Sequence, residues 1–187
     1  MSHTTVENPA QAVEELAHTD VSQCYQCGKC SAGCPMAEKM DLLPNRLIRL
    51  VQRGEIDQAA ASKAAWLCVS CLTCSTRCPK SVDCAAVMDA LRQIAVEKNL
   101  VAPEMRRTVL FQQAFLQNIK QNGRLNELAL VRNFKIAAFL RDWSLPLLMK
   151  DALLGPQMLK RGKLHLKGDK VRDLGIVERI FAKCEKG

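Results

Sequence analysis

Ten cysteines are spread unevenly along this chain, and eight of them fall into two short arrays. The first reads Cys24-Tyr-Gln-Cys27-Gly-Lys-Cys30-Ser-Ala-Gly-Cys34-Pro35, and the second Cys68-Val-Ser-Cys71-Leu-Thr-Cys74-Ser-Thr-Arg-Cys78-Pro79. All four cysteines, Ser31 with Ser75, and Pro35 with Pro79 recur at a fixed offset of 44 residues, so the arrays are an internal repeat. Thiols packed this densely suit no orderly set of disulfides; they suit metal clusters. A cubane iron–sulfur cluster needs four converging thiolates. Three can come from a tight C-x2-C-x2-C loop, and in two-cluster ferredoxins the fourth cysteine of the run serves the other cluster. The pattern assigns Cys24, Cys27, Cys30 and Cys78 to one [4Fe–4S] cluster, and Cys68, Cys71, Cys74 and Cys34 to a second. The competing chemistry is a pair of structural zinc sites, since C-x2-C pairs also bind zinc. Zinc motifs rarely place four cysteines in eleven residues, twice, each followed by proline.

Positioning these thiols falls to tight turns and flanking helices. Gly28 and Gly33 suit sharp turns and close backbone approach. The second array has Leu72 and Arg77 there, so its turn is expected to adopt a different or more strained geometry, with Leu72 screening that cluster from water. Aromatics make up only 4% of the chain, and the abundance of Leu, Ala, Lys and Arg favours helix over strand. Asn8 is a plausible N-cap with Pro9 at the first position of a leader helix ending near His18. Between the arrays, Leu47, Ile48, Leu50 and Val51 form one helical face, Gly54 breaks it, and Ile56 to Trp66 read as a second helix. A strand-built ferredoxin joins its halves with less helical material, so an α-helical ferredoxin domain is expected.

After the second array, Asp83 caps a helix with apolar positions Val87, Met88, Leu91, Ile94 and Ala95, running to about Lys98. Pro103 opens another that Gly123 ends. A third, from Leu125 to about Asp142, is apolar nearly all round and reads as buried between partners. Pro146, Gly155 and Pro156 interrupt the pattern, and a last amphipathic stretch carries Val171, Leu174, Val177, Ile180 and Phe181. The resulting organisation is a leader helix over 1–20, a cluster domain over 21–98, and a helical docking region over 99–187. The fold class is mainly α: a helical ferredoxin domain with a C-terminal helical extension.

The net charge of +8 invites a nucleic-acid reading. It weakens because each oxidised cluster with four thiolates carries about 2 negative charges. Moreover, the segment 160–172 holds six basic residues (Lys160, Arg161, Lys163, Lys167, Lys170, Arg172) against Asp169, supplying +5 of the total. No apolar run approaches the roughly 18 to 20 residues of a membrane span. No export signal is visible at the acidic N-terminus, so a reducing cytoplasm is expected. Of the other residues, Cys84 lies where a helix dipole can lower a thiol pKa, but more often such a cysteine is a small buried hydrophobe. Cys184 reads as an idle thiol near the terminus, Trp66 as core, and His3, His18 and His165 as surface residues without ligand spacing.

The two arrays with their helical linker, the helix after them, and the stretch Phe115-Leu116-Gln-Asn-Ile119-Lys-Gln-Asn-Gly123-Arg124-Leu125-Asn-Glu127-Leu128 together resemble the iron–sulfur C subunit of the heterodisulfide reductase family, over roughly Val21 to Asp142. The resemblance implies an electron relay between two partners, the family's flavin- and cluster-containing A subunit and its catalytic, cysteine-rich B subunit, with no catalytic residue of its own. Consistent with that, the chain has no adjacent cysteine pair, no G-x-G-x-x-G fingerprint and no nucleophile–base constellation. The nearest alternative is the cluster subunit of a membrane-associated dehydrogenase. That family adds a [2Fe–2S] domain, which the 23 residues before Cys24 are too few to encode. A nucleic-acid enzyme with structural clusters is the alternative of a different class. One cluster usually suffices for structure, whereas two braced clusters make a wire.

Overall fold

The computed structural model describes residues 10–142, 160, 171 and 173–184, the side chains of 138–142 excepted. Among the described residues every regular element is helical, and they divide into two compact units, 1–106 and 107–187.

The first unit carries both arrays. Helix α1 (Gln11–Ala17) ends where His18 turns left-handed, at φ 48°; the expected cap at Asn8 and Pro9 lies outside the described residues. Helix α2 (Lys29–Ala32) sits inside the first array and α6 (Thr73–Thr76) inside the second. Helix α3 (Pro44–Gln52) buries Leu47, Ile48 and Val51, with Pro44 at its start, where its missing N–H costs nothing. Leu50, expected on the same face, is only half-buried.

The single helix expected from Ile56 to Trp66 is two, α4 (Ile56–Ala61) and α5 (Ala64–Leu67). The cause is Asp41. Its carboxylate accepts from Ser62 Oγ at 2.8 Å and from the amides of Lys63 (3.2 Å) and Ala64 (3.0 Å), which pulls Ser62 into an extended conformation and starts a new helix. A side chain about twenty residues away in sequence thus overrides an alanine-rich helical pattern.

Helix α7 (Cys84–Glu97) is the unit's spine. Asp83 caps it by accepting from Ala86 N at 3.0 Å, and Val87, Met88, Leu91, Ile94 and Ala95 are buried along it. Helices α1, α4 and α5 pack against α7, while α2 packs against α6, so the two array helices face each other. Burial of large aliphatic side chains, each worth about 1.5–3 kcal/mol, is concentrated where α3 and α7 meet the array loops.

The second unit follows a short 3-10 turn at Pro103–Met105. Helix α8 (Arg106–Asn122) and α9 (Glu127–Asp142) are joined by a polar clamp. Asn118, fully buried, donates Nδ2 to the Asn126 carbonyl at 3.0 Å and accepts from the Asn126 amide at 2.8 Å. Asn126 itself caps α9, accepting from Ala129 N, so the helix begins at Glu127 rather than Leu125. Phe111 meets Phe134 edge-to-face at 5.6 Å. Along α9, Leu130 is buried but Val131 and Ile136 are about half exposed, so its nearly all-round apolar surface is not fully buried within the described residues. Gly123 adopts φ 70°, and a Cβ there would collide with the Val171 side chain. The last helix, α10 (Leu174–Cys184), places Phe181 under the Lys120 ammonium at 5.6 Å. Pro146, Gly155, Pro156 and the basic segment apart from Lys160 and Val171 lie outside the described residues.

Candidate functional site

The two arrays share one backbone. Gln26 and Ser70, 44 residues apart, have φ 62° and 49°; Gly28 and Leu72 have φ 78° and 60°. The second array therefore uses the left-handed turn that glycine makes in the first, and bears the steric cost of a Cβ in that region. Gly33 is not left-handed (φ −99°); a Cβ there would meet the Arg77 guanidinium, the residue at the matching place in the other array, and the arginine side chain would have to move aside.

Each array is fixed to the helix after it by matching bonds. Ser31 Oγ donates to Asn45 Oδ1 at 2.6 Å and accepts from Asn45 N at 3.1 Å; Ser75 Oγ donates to Asp83 Oδ1 at 2.5 Å and accepts from Ala85 N at 3.2 Å. Gln52 Nε2 donates to the carbonyls of Val21 and Cys24, both at 2.8 Å. In the second half Arg92 donates Nε to the Ala65 carbonyl at 2.7 Å and Nη2 to the Cys68 carbonyl. The acceptors Val21 and Ala65, and Cys24 and Cys68, are again 44 residues apart. The donors Gln52 and Arg92, and the amides Asn45 and Ala85, are 40 apart. The repeat thus includes α3 and α7, with the first half carrying four more residues between array and helix.

Cys34, Cys68, Cys71 and Cys74 line one small cavity, walled by Pro35, Met36, Met40, Pro44, Leu72, Ala85 and Met88. On the other side, Cys24 lies close enough to Cys30, Cys78 and Cys27 to feel their charges. Each set of neighbours takes three thiols from one array and one from the other. Among the described residues no three histidines, cysteines or acids converge closely enough to hold a single metal ion. The thiols surround space instead. All ten cysteines are free, and the apolar walls and inward thiols suit a cluster ligated by sulfur.

The electrostatics vary from thiol to thiol. Burial pushes Cys24 and Cys68 up. Cys71 is lowered by its hydrogen bond with Thr73 Oγ1 at 3.4 Å. Cys30 and Cys74 are held down to about 6, first of all by the neighbouring Cys84 thiol. Cys84 is buried at the first position of α7 with its S–H toward the Val82 carbonyl at 3.8 Å, and the neighbouring Cys30 and Cys74 thiols, with burial, raise its own pKa. The helix-dipole expectation for Cys84 is therefore reversed, while its reading as a buried small residue stands. It takes the place in its half that Pro44 takes in the other. Further donors reach the sulfurs directly: Val82 N to Cys78 Sγ at 3.3 Å, and Gln26 Nε2 to Cys24 Sγ at 3.5 Å. Trp66 is buried, as expected, with its indole N–H unpartnered beside the second array's start. Cys184 is exposed in α10, and His18 is the C-cap of α1.

Comparison with known proteins places residues 20–82 in the family described as a 4Fe-4S dicluster domain. The chain is similar to the iron-sulfur C subunit of the CoB–CoM heterodisulfide reductase of Methanopyrus kandleri, 33% identical over 98 residues, which are 52% of this chain and 51% of that protein. It is 32% identical to the second such C subunit of Methanocaldococcus jannaschii over 108 residues, 58% of each chain. The C subunit of a Methanosarcina mazei ferredoxin:CoB–CoM heterodisulfide reductase is 35% identical over 95 residues, 51% of this chain and 58% of the other. The chain thus spans about half the length of the curated relatives it matches, and the resemblance to these C subunits lies in an iron–sulfur cluster domain of helical build.

Proposed function

We propose that this chain is the electron-transfer subunit of a heterodisulfide reductase-like complex. In this reading it holds two [4Fe–4S] clusters, one on Cys24, Cys27, Cys30 and Cys78 and the other on Cys68, Cys71, Cys74 and Cys34. It relays electrons between a flavin- and cluster-containing A subunit and a catalytic, cysteine-rich B subunit, in a reducing cytoplasm. Bound clusters would supply one-electron chemistry; the chain's own residues bind, insulate and tune them. Val82 and Gln26 direct N–H groups at ligand sulfurs. Donors of this kind favour the more negative, reduced state of a cluster and raise its potential.

The observation that carries the reading is the cavity shared by Cys34 with Cys68, Cys71 and Cys74. It lends weight to exchanged fourth ligands, an arrangement that braces the two halves and keeps the two clusters near each other. Among the described residues no helix is long and apolar enough to cross a membrane, in keeping with partners that carry the chemistry without an anchor on these helices.

Anaerobically purified protein should contain about eight iron and eight acid-labile sulfide per chain, and when reduced should give a magnetically coupled EPR spectrum. Zinc without labile sulfide would sink the reading. Within the same preparation, Cys78→Ser should deplete the cluster held by Cys24, Cys27 and Cys30; selective loss of the cluster on its own array would show that ligation is local. Copurification from the native source identifies the two partners or excludes them.

A further inference from the structure

The internal repeat supplies its own control for surface features. Because α3 and α7 correspond at an offset of 40, Leu47, Ile48 and Val51 match Val87, Met88 and Leu91, and all six are buried. The outward positions do not match. Arg46 and Arg49, exposed on α3, and Arg53, exposed at its C-cap, correspond to Ala86, Asp89 and Gln93 on α7. The same architecture therefore bears three cations in the first half, where the second has two uncharged residues and Asp89 paired with Arg92 at 2.7 Å, and nothing in the fold of the repeat requires the difference.

The three arginines do not stand on a convex surface. With Tyr25, Gln26, Leu42, Asn45, Leu50 and Gln58 they line an open groove of about 680 Å3 whose floor includes Cys24. Gln52 ties α3 to the Cys24 carbonyl, and Asn45 Nδ2 donates to Gln26 Oε1 at 3.4 Å, so the groove is held in register with the start of the first array. Intramolecular partners use little of its charge. Arg49 donates to Gln52 Oε1 at 3.2 Å, and Arg53 pairs with Glu55 at 2.6 Å with its side chain 63% exposed, so one acid offsets three bases. Beside the second array the exposed side chains are mixed: Val69 and Leu72 are 61% and 54% exposed, and Arg77 and Lys80 are exposed with them.

We propose that the Arg46, Arg49 and Arg53 groove is the docking site for an acidic face of a one-electron carrier protein, whose carboxylates the guanidiniums receive and whose redox centre is thereby brought beside Cys24. The inference rests on the preceding reading only in taking Cys24 as a cluster ligand. Guanidiniums suit this role, because they stay charged at any physiological pH and their planar forks match carboxylates. Exposed charges of this kind contribute chiefly to encounter and orientation, so their signature is strong dependence on ionic strength.

The test uses the full chain with its clusters, and a purified acidic two-cluster ferredoxin as probe. Dissociation constants are measured by calorimetry at 50 and 300 mM salt for the unaltered protein, for R46E/R49E/R53E, and for R106E/R179E/K183E. The last makes the same change in net charge at residues that do not line the groove. Iron and sulfide are assayed in every sample. The expected result is a Kd for the unaltered chain that weakens about tenfold or more with salt, is weakened about 10- to 100-fold by the groove variant at low salt, and is changed less than about threefold by the control. Absence of binding by the unaltered chain, equal weakening in both variants, or an unchanged Kd in the groove variant with full cluster content would each overturn the proposal. Missing iron and sulfide in the unaltered chain would instead overturn the cluster reading, and the two failures are told apart in one experiment.

Discussion

Truncating Arg92 or Gln52 to alanine should loosen one array each, by different amounts. Gln52 makes two neutral hydrogen bonds, to the carbonyls of Val21 and Cys24. A neutral bond contributes about 0.5–1.5 kcal/mol net, so Gln52→Ala should cost about 1–3 kcal/mol. Arg92 makes the matching pair, to Ala65 and Cys68, from a charged donor whose side chain is only 19% exposed. Charged bonds are worth about 1.5–3 kcal/mol each, and Arg92→Ala should cost about 3–6 kcal/mol. For a unit of this size, about 4–8 °C of melting temperature accompanies each kcal/mol. The assays are thermal melting of the cluster-loaded chain and the rate of iron release to a chelator, with EPR assigning which cluster leaves. Arg92→Ala should melt well below Gln52→Ala and lose iron first from the cluster on the second array, while Gln52→Ala labilises the first. Arg92→Gln, which installs the first half's solution in the second, should fall between Arg92→Ala and the unaltered chain. Equal release from both arrays in both variants would refute the assignment of each donor to its own half.

Leu72→Gly removes a Cβ from φ 60°, relieving about 1–2 kcal/mol of left-handed strain against about 0.5–1 kcal/mol of added unfolded-state entropy, so melting should rise by a few degrees; a fall would show that the leucine's cover over the cavity outweighs its strain. Burial pushes the Asp41 carboxyl up, but hydrogen bonds from Ser62 and from the amides of Lys63 and Leu42 outweigh it and hold the group below the usual range. Its folded pKa is depressed, so its charge stabilises above about pH 4 and that contribution is lost as pH falls through the folded value. Asp41→Asn should lower the melting temperature by a constant amount from pH 8 to 5 and by less below about pH 4; a gap that closes between pH 8 and 5 would contradict this.

What is legible in the sequence follows from the range of the interactions involved. Asp83 as a cap, the buried face of Leu47, Ile48 and Val51, and the stop at Gly123 rest on contacts within one or two helical turns, and these are written in local spacing. The eight candidate ligands are legible because a cluster demands sulfur, and sulfur at fixed spacing has few other uses. Non-local bonds are not legible. The break between α4 and α5 depends on Asp41 reaching Ser62, Lys63 and Ala64, and no propensity reports an acceptor arriving from the other side of a loop. At Cys84 the local reading as a small buried residue holds, but the neighbours that set its proton, Cys30 and Cys74, come from two different arrays and are not written in the local sequence.

The repeat itself shows how a small change in chain length conceals equivalence. Aligned at 44 residues, the arrays match and then the comparison fails, because Cys34 precedes Asn45 by eleven residues whereas Cys78 precedes Ala85 by seven. Shortened by those four residues, the second half brings Arg92 under Gln52, Ala85 under Asn45 and Cys84 under Pro44. Each pair meets one requirement with different chemistry: a guanidinium or an amide on the same two carbonyls, a thiol or a proline at the same helix start. Identity at these positions is not what the fold needs, since a carbonyl accepts from either donor. The backbone turn and the serine hydroxyl are less replaceable, because few side chains both accept from an amide and donate to the next side chain. That is why Ser31 and Ser75 remain visible to a fixed-offset comparison while Gln52 and Arg92 do not. The positions free of both requirements, Arg46, Arg49 and Arg53 against Ala86, Asp89 and Gln93, are then the ones able to diverge in charge and give the two ends of the domain different surfaces.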